Sequence, residues 1–518
     1  MPYYRTIPFL ALFGCSSYGA DALFSGEEPT DYAGEDDDNS DPDDEDVSEQ
    51  EDGPPILEPA ETPTYIFIAN PERDTVTRVT AATLAVVTTP VGNDPQIVKA
   101  DPSGTRVAVF NRGNDSVSII DAETLQTVEV PVRDELNQMV MSPDGDWVAL
   151  WHDIASEDDD DPPAEGVQSY NEVSFIRLST AEHFPMAVDY NPHEVQFTPD
   201  SSLAVVVTDT SLGLVDLLAE ELSPNLIHLT EELVDPPVAE EVAVAEEGTY
   251  AFVRQFGVEE ILVVDLATEV VTPIDVGQNP TDIDLSPDGA SAVVVSRGSE
   301  ELWILDVPNP FASPVVIPLP ADQGLGSVQF DPTGQRAIVY TTATLTDRIA
   351  TWDLSDNSVT LRSVVKPVAS AAISPTGDSL ILFHTHSDAA GADTNSPFYG
   401  EWALTLIDFD DFRQNPIRLP AEPIGFANSS NGRYGYFIME GERYLEAINY
   451  GTLLVDEIPI KSDPVFVGAL ADPETEDEDE PPAWVSQAHD LGRISFYDPD
   501  NGELATVTGF ELNSAIED

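Results

Sequence analysis

Residues 261–289 read ILVVDLATEVVTPIDVGQNPTDIDLSPDG. This stretch contains every feature of a pattern that is repeated along the chain. One apolar, β-branched run ends at Asp265, a second leads to Gly277, and a third ends in Ser286-Pro287-Asp288-Gly289. β-branched residues favour strands, whereas Pro followed by Asp and Gly favours a tight turn. The segment therefore predicts three short strands separated by turns.

The same order of strands and turns recurs along the chain. The strand that ends at Asp265 belongs to a set of ten, spaced 39 to 56 residues apart, and seven of the ten end in Asp. An Asp in this position can accept hydrogen bonds from the amides that follow it, so its repetition indicates a turn rather than seven active sites. The turns with Pro in second place begin at Asp101, Ser142, Thr198, Ser286, Asp331 and Ser374.

Each unit holds four strands, named a (inner) to d (outer), and four strands every roughly 40–45 residues is typical of a β-propeller blade. The sequence therefore predicts an all-β protein, a β-propeller of about ten four-stranded blades. A single ring is favoured, and two fused smaller rings are the alternative. The first unit begins at Tyr65–Ile68 without an inner strand, so residues near 511–517 are expected to complete the first blade.

The repeat resembles the YVTN family of β-propellers. The resemblance is carried by residues 261–268, 274–280 and 283–289, with a second good copy in Val91-Gly92-Asn93-Asp94-Pro95, and it spans roughly residues 64–512. It implies the propeller fold, which in that family serves bacterial surface proteins, quinoprotein subunits and lactonases. The ten units differ from the usual seven of the family.

The N-terminus has the layout of a secretory signal peptide over residues 1–14. Arg5 is the only charged residue before the single cysteine, Cys15, and an apolar run fills residues 7–13. Leu12-Phe13-Gly14-Cys15 resembles the lipobox of bacterial lipoproteins, which implies that Cys15 is lipidated and becomes the new N-terminus. A fortuitous cysteine is the alternative. The expected location is the cell envelope, with the outer membrane or cell surface favoured, and lipid as the only membrane contact.

The distribution of charged residues distinguishes a linker from a folded domain in the remainder of the chain. Lys and Arg number 20 against 97 Asp and Glu, a net charge of −77. Residues 15–61 are expected to be a disordered acidic linker, because residues 21–61 hold 18 acids and no base. Residues 62–518 are assigned to the propeller and carry a net charge of −60. Such a surface excludes nucleic-acid binding and resembles salt-adapted proteins, with an ordinary acidic secreted protein as the alternative.

One rim of the propeller carries the candidate binding residues. In this fold the b–c and d–a loops share a rim, and seven d–a loops place a polar residue or lysine before proline. Oxygen ligands that converge at the channel mouth would suit Ca²⁺, whereas the alternative is an ordinary extended entry into a strand. The calcium candidates are Asp94, Asp235, Asn279 and Asp463. No other cofactor is expected.

Insertions and histidines add further candidates. Two b–c insertions, Ile154–Gly166 and Ser387–Gly400, fall in units three and eight, which face each other across a ring of ten, while Pro473–Pro482 points to the opposite rim. They are either acidic arms for cations or a basic partner, or tolerated surface loops. His384-Thr385-His386 has a spacing that can bind zinc, but two exposed histidines at a strand edge are the favoured interpretation.

No motif for a nucleophile, a phosphate loop or a dinucleotide site occurs in the chain. The leading hypothesis is a non-enzymatic cell-envelope lipoprotein that binds a protein, glycan or small ligand on one rim. The alternative is a lactonase-like or quinoprotein-like propeller enzyme with a metal or acid site at the channel mouth. Three or more rim carboxylates or imidazoles within metal-binding distance would favour the enzyme.

Overall fold

The computed structural model describes residues 57–154, 170–232, 236–255, 257–470, 481–512 and 516–517. Within these ranges the chain forms 41 strands in ten sheets. Among the described residues no helix is long and apolar enough to cross a membrane. The signal segment 1–14, Cys15, nearly all of the linker, Asp235 and most of the insertions 154–166 and 473–482 lie outside the described residues.

The strands follow the chain blade by blade, each pairing with its sequence neighbour. Blades 1 to 5 comprise β1–β4 (Ala60–Glu61, Tyr65–Asn70, Thr75–Thr80, Ala85–Pro90), β5–β8 (Pro95–Ala100, Arg106–Asn111, Ser116–Asp121, Thr127–Pro131), β9–β12 (Gln138–Met141, Trp147–Trp151, Glu172–Arg177, Glu182–Ala187), β13–β16 (Glu194–Phe197, Leu203–Val207, Ser211–Asp216, Asn225–His228) and β17–β20 (Ala239–Val244, Tyr250–Gln255, Glu260–Asp265, Val270–Asp275).

Blades 6 to 10 continue the same order. They comprise β21–β24 (Pro280–Leu285, Ser291–Ser296, Glu301–Asp306, Val315–Pro318), β25–β28 (Ser327–Phe330, Arg336–Tyr340, Arg348–Asp353, Ser358–Ser363), β29–β32 (Val368–Ile373, Ser379–His384, Trp402–Asp408, Arg413–Leu419), β33–β36 (Pro423–Asn428, Tyr434–Met439, Tyr444–Asn449, Leu454–Pro459) and β37–β41 (Pro464–Ala469, Ala483–Gln487, Arg493–Asp498, Glu503–Thr508, Ile516–Glu517).

The turns between strands a and b form as the sequence predicts. After β21, the Ser286 hydroxyl donates to Asp288 Oδ1 at 2.7 Å and accepts the main-chain N–H of Ser291 at 3.0 Å. Gly289 closes this turn with a φ of +66°, a backbone that glycine adopts without steric cost. Three elements of the motif thus have separate tasks, which explains why they recur together.

The Asp that ends a strand c also acts as predicted. Asp265 Oδ1 accepts the main-chain N–H groups of Ala267 and Thr268 at 3.1 and 2.9 Å. These hydrogen bonds favour the ionised carboxyl and lower the pKa of Asp265. Asp498 makes the equivalent contact to the amide of Asp500 at 2.9 Å, in the hairpin turn between β39 and β40. The repeated Asp is therefore a structural residue.

Ten apolar cores fill the ten interfaces between neighbouring blades. Nine of them join blades that are consecutive in sequence. The tenth joins blade 10 to blade 1 and includes Ile66, Trp484 and Phe510. The blades therefore close into one ten-bladed ring, as favoured, and the alternative of two fused rings is wrong.

The expected route of closure is also wrong. The inner strand of blade 1 is β1, Ala60–Glu61, which pairs with β2 and precedes the boundary assigned at residue 62. Ile516–Glu517 instead pairs with β40 and becomes a fifth, outer strand of blade 10. The C-terminal turn still reaches blade 1, because Thr77 Oγ1 donates to the carbonyl oxygen of Phe510 at 3.3 Å. The ends of the ring therefore meet side by side without sharing a blade.

Candidate functional site

The register of each blade creates the common rim. Strand a begins beside the end of strand b, as Pro95 pairs with Asn111 in blade 2. The d–a loop and the b–c loop therefore lie at the same end of the blade. Six inner strands also contain a register shift in their first residues. Each shift leaves one additional residue of the inner strand without a partner in strand b.

The residues before proline hold this rim together through their backbones. The carbonyl oxygens of Asp94, Asn279 and Asp463 accept a main-chain N–H from the b–c loop of the same blade at 2.9, 3.0 and 2.8 Å. Asp94 and Asn279 have positive φ angles of 50° and 51°. Asp and Asn tolerate this left-handed backbone better than most residues, which accounts for their recurrence here. Their observed role is to fix the loops.

The structure places these three calcium candidates in blades 2, 6 and 10, where they are not brought together. Asp94 Oδ1 accepts a hydrogen bond from Gln96 at 2.6 Å, and Asp463 Oδ1 accepts one from Arg443 at 2.8 Å. Throughout the described ranges, no group of three or more His, Cys, Asp or Glu side chains is placed to hold a metal ion. Asp235 lies outside the described residues, and calcium binding stays a prediction.

The two histidines near the end of β30 have different environments. His384 is fully buried: Nδ1 donates to the carbonyl oxygen of Pro367 at 3.2 Å, and Nε2 accepts from the Thr405 hydroxyl at 2.7 Å. Burial lowers the pKa of His384 to about 4. His386 is exposed and stacks edge-on against Trp402. The expectation of two exposed histidines is wrong for His384, whose ring nitrogens both bond within blade 8.

A buried lysine organises the b–c insertion of blade 8. The Lys366 side chain is 2% exposed, and its ammonium group donates to the carbonyl oxygens of His386, Phe398 and Glu401 at 2.8, 3.1 and 2.7 Å. The carboxylate of Asp388 lies 3.1 Å from the same nitrogen. A buried ammonium requires such compensation, since an unpaired one would be strongly destabilising. Lys366 therefore ties both ends of this loop to the ring.

The outer part of the same loop has an ordered conformation. Asp388 Oδ2 accepts the main-chain N–H of Gly400 at 2.8 Å, and the carbonyl oxygen of Asp393 accepts the N–H of Ser396 at 2.8 Å. The loop presents the Tyr399 side chain to solvent, with 46% of the residue exposed. We call residues 385–401 the blade-8 loop. It is a long rim loop whose conformation is held by hydrogen bonds within the chain.

The second candidate region is the wall of the central channel in blades 4 to 6. The residues four and two places before the a–b turn lie on one face of the inner strand, as alternate residues of a strand do. In blades 4 to 6 this pair of positions carries mostly acids or their amides. We call the set the acidic wall, and its members are Glu194, Gln196, Glu241, Asp282 and Asp284.

Side chains of the acidic wall bond to the backbone of the following blade. Gln196 Nε2 donates to the carbonyl oxygen of Val242 at 2.6 Å. Glu241 Oε2 accepts the main-chain N–H of Ile283 at 3.2 Å, and Asp282 Oδ2 accepts that of Val328 at 2.5 Å. Inner strands from blade 4 to blade 7 are thus linked by polar contacts near the channel mouth.

One arginine neutralises part of this wall. Arg254 pairs with Glu241 across the sheet, its Nε donates to Glu241 at 2.8 Å, and its Nη1 contacts Glu240. Burial nevertheless raises the pKa of Glu241 to about 7 against the opposing effect of Arg254. In blade 6 the residue paired with Asp282 is Val295, so this blade has no matching arginine. Burial and Glu241 raise the pKa of Asp282 well above its ordinary value.

The same positions in blades 8 to 10 are occupied differently. All but Phe466 are small, and we call the set the small-residue wall. Gly468 lies so close to the Trp484 ring that a Cβ there would be 2.3 Å from it, and a Cβ at Gly425 would be 3.3 Å from Val467 of the next blade. The members are Ser370, Ala372, Gly425, Ala427, Phe466 and Gly468.

Neither Lys366 nor the acidic wall was identified as a site from the sequence. Lys366 was visible only as one of the seven residues that precede proline. The acidic wall could have been recognised from the sequence. Alternate positions before the a–b turn are acidic in consecutive units, whereas the repeat is otherwise apolar there. Their contacts depend on register and on neighbouring blades, which the sequence does not state.

Comparisons with known proteins show the fold. The structure is similar to one described as "crystal structure of the eukaryotic initiation factor", with a TM-score of 0.52 and 11% identity over 77% of this chain and 96% of that chain. Further matches are dihydro-heme d1 dehydrogenase NirN (TM-score 0.44, 16% identity, 69% and 73% covered) and the C-terminal WD40 domain of Sif2 (0.41, 10%, 64% and 89%). No protein-family model and no curated protein matches the chain. The chain folds as a β-propeller of ten blades.

Proposed function

We propose that this protein is a non-enzymatic binding scaffold of the cell envelope, built from YVTN-type repeats, whose ligand contacts the rim that carries the blade-8 loop. The observation that carries the proposal is the buried Lys366, which fixes a long exposed loop in one conformation. Binding segments are commonly loops on a rigid frame, and a loop ordered in advance loses less entropy on association. The ligand is a protein, a glycan or a small molecule.

The exposed tyrosine supports the same surface. Tyr399 stands at the outer part of the blade-8 loop, and tyrosine is enriched in protein interfaces because it combines a large apolar face with a hydroxyl group. Tyr190, which is 59% exposed, lies in the d–a loop after blade 3 and therefore on the same rim. In a ring of ten, blades 3 and 8 are opposite one another, so a ligand that contacts both tyrosines spans the channel mouth.

Site-specific photo-crosslinking tests this proposal. A photoreactive amino acid replaces Tyr399 in one variant and Leu361, exposed on the outer strand of blade 7, in the control. In envelopes of cells that make the protein, we expect discrete adducts from position 399 and none of the same mass from position 361. Combining the probe with Lys366→Met should weaken the adducts, because the loop loses its anchor. Identical adducts from both positions would contradict a rim-specific scaffold.

Membrane attachment is proposed to depend on Cys15, through the lipobox-like residues 12–15. Cys15→Ala should move the protein from the membrane fraction to the soluble fraction, whereas Ser16→Ala should leave it in the membrane fraction. Retention of the Cys15→Ala variant would contradict lipid anchoring without affecting the proposed role of the rim.

A further inference from the structure

Two carboxyl groups from neighbouring blades meet on the acidic wall. Glu241 Oε2 accepts the main-chain N–H of Ile283 at 3.2 Å, which places this carboxyl beside Asp282. The negative charge of Glu241 raises the pKa of Asp282, so the two carboxyl groups are close enough to interact. Ionised carboxylates repel each other and only accept hydrogen bonds, so the pair can bond directly only when one of the two groups carries a proton.

We propose that Glu241 and Asp282 share one proton across the interface of blades 5 and 6, and that this proton controls how firmly the inner strands of blades 5, 6 and 7 pack together. Asp282 extends the contact to blade 7, because its Oδ2 accepts the main-chain N–H of Val328 at 2.5 Å. One proton thus serves a continuous series of hydrogen bonds from β17 through β21 to β25. This property goes beyond the proposed rim function.

The groups around the pair explain why the proton is retained near neutral pH. Removal of the proton leaves two carboxylates in contact, while a single guanidinium, that of Arg254, bonds to Glu241. Arg254 is also shared with Glu240, so it cannot neutralise both members of the pair. Burial raises the pKa of Glu241 to about 7, and burial together with Glu241 raises the pKa of Asp282 well above its ordinary value. The ionisable groups that face the pair are Glu240, Arg254, Asp284, Arg297 and Tyr340.

Among these neighbours, Asp284 opposes loss of the proton and Arg297 favours it. Asp284 adds negative charge on the same strand, and its own pKa is raised by burial and by Asp282. Arg297 lies in the loop after β22, with its guanidinium against Gly326 of the next blade. Tyr340 is neutral at these pH values, because burial and the two aspartates raise its pKa. The neighbours therefore shift the pH at which the pair loses its proton.

Hydrogen exchange on the full chain tests the proposal locally. Peptides that cover β17, β21 and β25 are compared with a peptide that covers β29 of the small-residue wall, at pH 6 and pH 8.5 in 1 M NaCl. High salt screens the general repulsion of the surface acids, and the β29 peptide corrects for faster chemical exchange at high pH. The measured ratio is the exchange rate of the β17, β21 and β25 peptides divided by the exchange rate of the β29 peptide. We expect this ratio to rise by at least about tenfold from pH 6 to pH 8.5, because a shift of one pKa unit corresponds to a tenfold change in an equilibrium constant.

Asp282→Asn is the decisive variant, because an amide mimics the protonated carboxyl: its NH₂ donates to Glu241 and its oxygen accepts from Val328. The ratio should then be the same at both pH values. Asp284→Asn is the matched control, since it removes the same charge from the same strand, and it should keep the pH-dependent rise. If Asp282→Asn does not fold, Glu241→Gln takes its place with the same expectation.

Two results would overturn the proposal. The first is a wild-type ratio that does not change between pH 6 and pH 8.5. The second is a rise that persists in the folded Asp282→Asn or Glu241→Gln variant, since the proton would then lie elsewhere. Neither outcome bears on crosslinking at position 399, so the rim function is judged separately.

Discussion

The acidic wall and the small-residue wall are made from the same strand of the same repeat, yet they join neighbouring blades by different means. In the acidic wall, side chains such as Glu241 and Asp282 reach across and bond to the backbone of the next blade. In the small-residue wall, Gly425 lets the next blade approach so closely that a Cβ in its place would be 3.3 Å from Val467. The repeat thus tolerates either polar bridging or close approach at its inner edge. The first brings ionisable groups to the channel, and the second does not.

The largest effect should follow the loss of the cation on the acidic wall. Arg254→Met leaves Glu240 and Glu241 without their partner in a buried position, where breaking an ion pair costs about 3–5 kcal/mol. Arg418→Met is the control, because Arg418 is 61% exposed and its pair with Glu401 is worth at most about 1 kcal/mol. Denaturant melts at pH 8 measure both free energies of unfolding. Equal losses would show that the acidic wall does not depend on its arginine.

The small-residue wall should instead be sensitive to volume. Gly468→Ala places a methyl group 2.3 Å from the Trp484 ring, and overpacking of this kind costs about 1–3 kcal/mol. Trp484 cannot withdraw freely, because its indole N–H donates to Glu61 of blade 1 at 2.6 Å. Gly451→Ala is the control at an open surface turn, where a Cβ meets only Asn449 at 3.5 Å. If the two variants have equal stability in the same melts, the close packing of Trp484 on Gly468 does not contribute to the stability of this wall.

The smallest of the three effects concerns an acid without a cation. Glu446 lies on the outer side of blade 9, where burial and then Glu457 and Glu442 raise its pKa to about 7. The folded state therefore retains its proton at a pH where the unfolded chain has lost it, so stability falls as the pH rises from about 4.5 to about 7. Glu446→Gln should remove that fall.

We expect Glu446→Gln to stabilise the protein by about 1–2 kcal/mol at pH 8 and to have little effect at pH 4.5. Glu129→Gln is the control, because Glu129 is exposed on strand β8. This substitution should leave the free energy of unfolding unchanged at both pH values. The measurement is the free energy of unfolding of each variant at the two pH values. Destabilisation by Glu446→Gln at pH 8 would mean that the charged form makes a favourable contact, as Glu241 does with Arg254.

Much of the architecture was predictable because it is encoded locally and repeated. The turn at Ser286 and the Asp turn at Asp265 each depend on residues within a few positions, so the strands, the blade boundaries and the count of ten follow from the pattern. The strand that completes blade 1 could not be predicted from this pattern. The inner strand Ala60–Glu61 is two residues long and continues an acidic segment, so no periodicity identifies it.

The candidate sites were less predictable because their contacts join distant parts of the chain. Lys366 bonds to carbonyl oxygens 20 to 35 residues later, and backbone acceptors leave no trace in side-chain patterns. Glu241 and Asp282 are 41 residues apart and meet only because equivalent positions of adjacent blades face one another. By contrast, Asp94 and Asn279 were conspicuous in the sequence for a local reason, their left-handed backbone.

The seam between blades 10 and 1 has an evolutionary consequence. Each blade is a contiguous stretch of chain, and the two ends of the ring meet through an ordinary interface of Ile66, Trp484 and Phe510. A gene duplication that inserts one complete repeat therefore leaves every other blade intact and requires no new exchange of strands. By the same logic, joining the ends by a linker and cutting the chain at another d–a loop should give a circular permutant with the same ten interfaces. A propeller of this kind can change its number of blades by whole steps, which is how a ring of ten blades can arise.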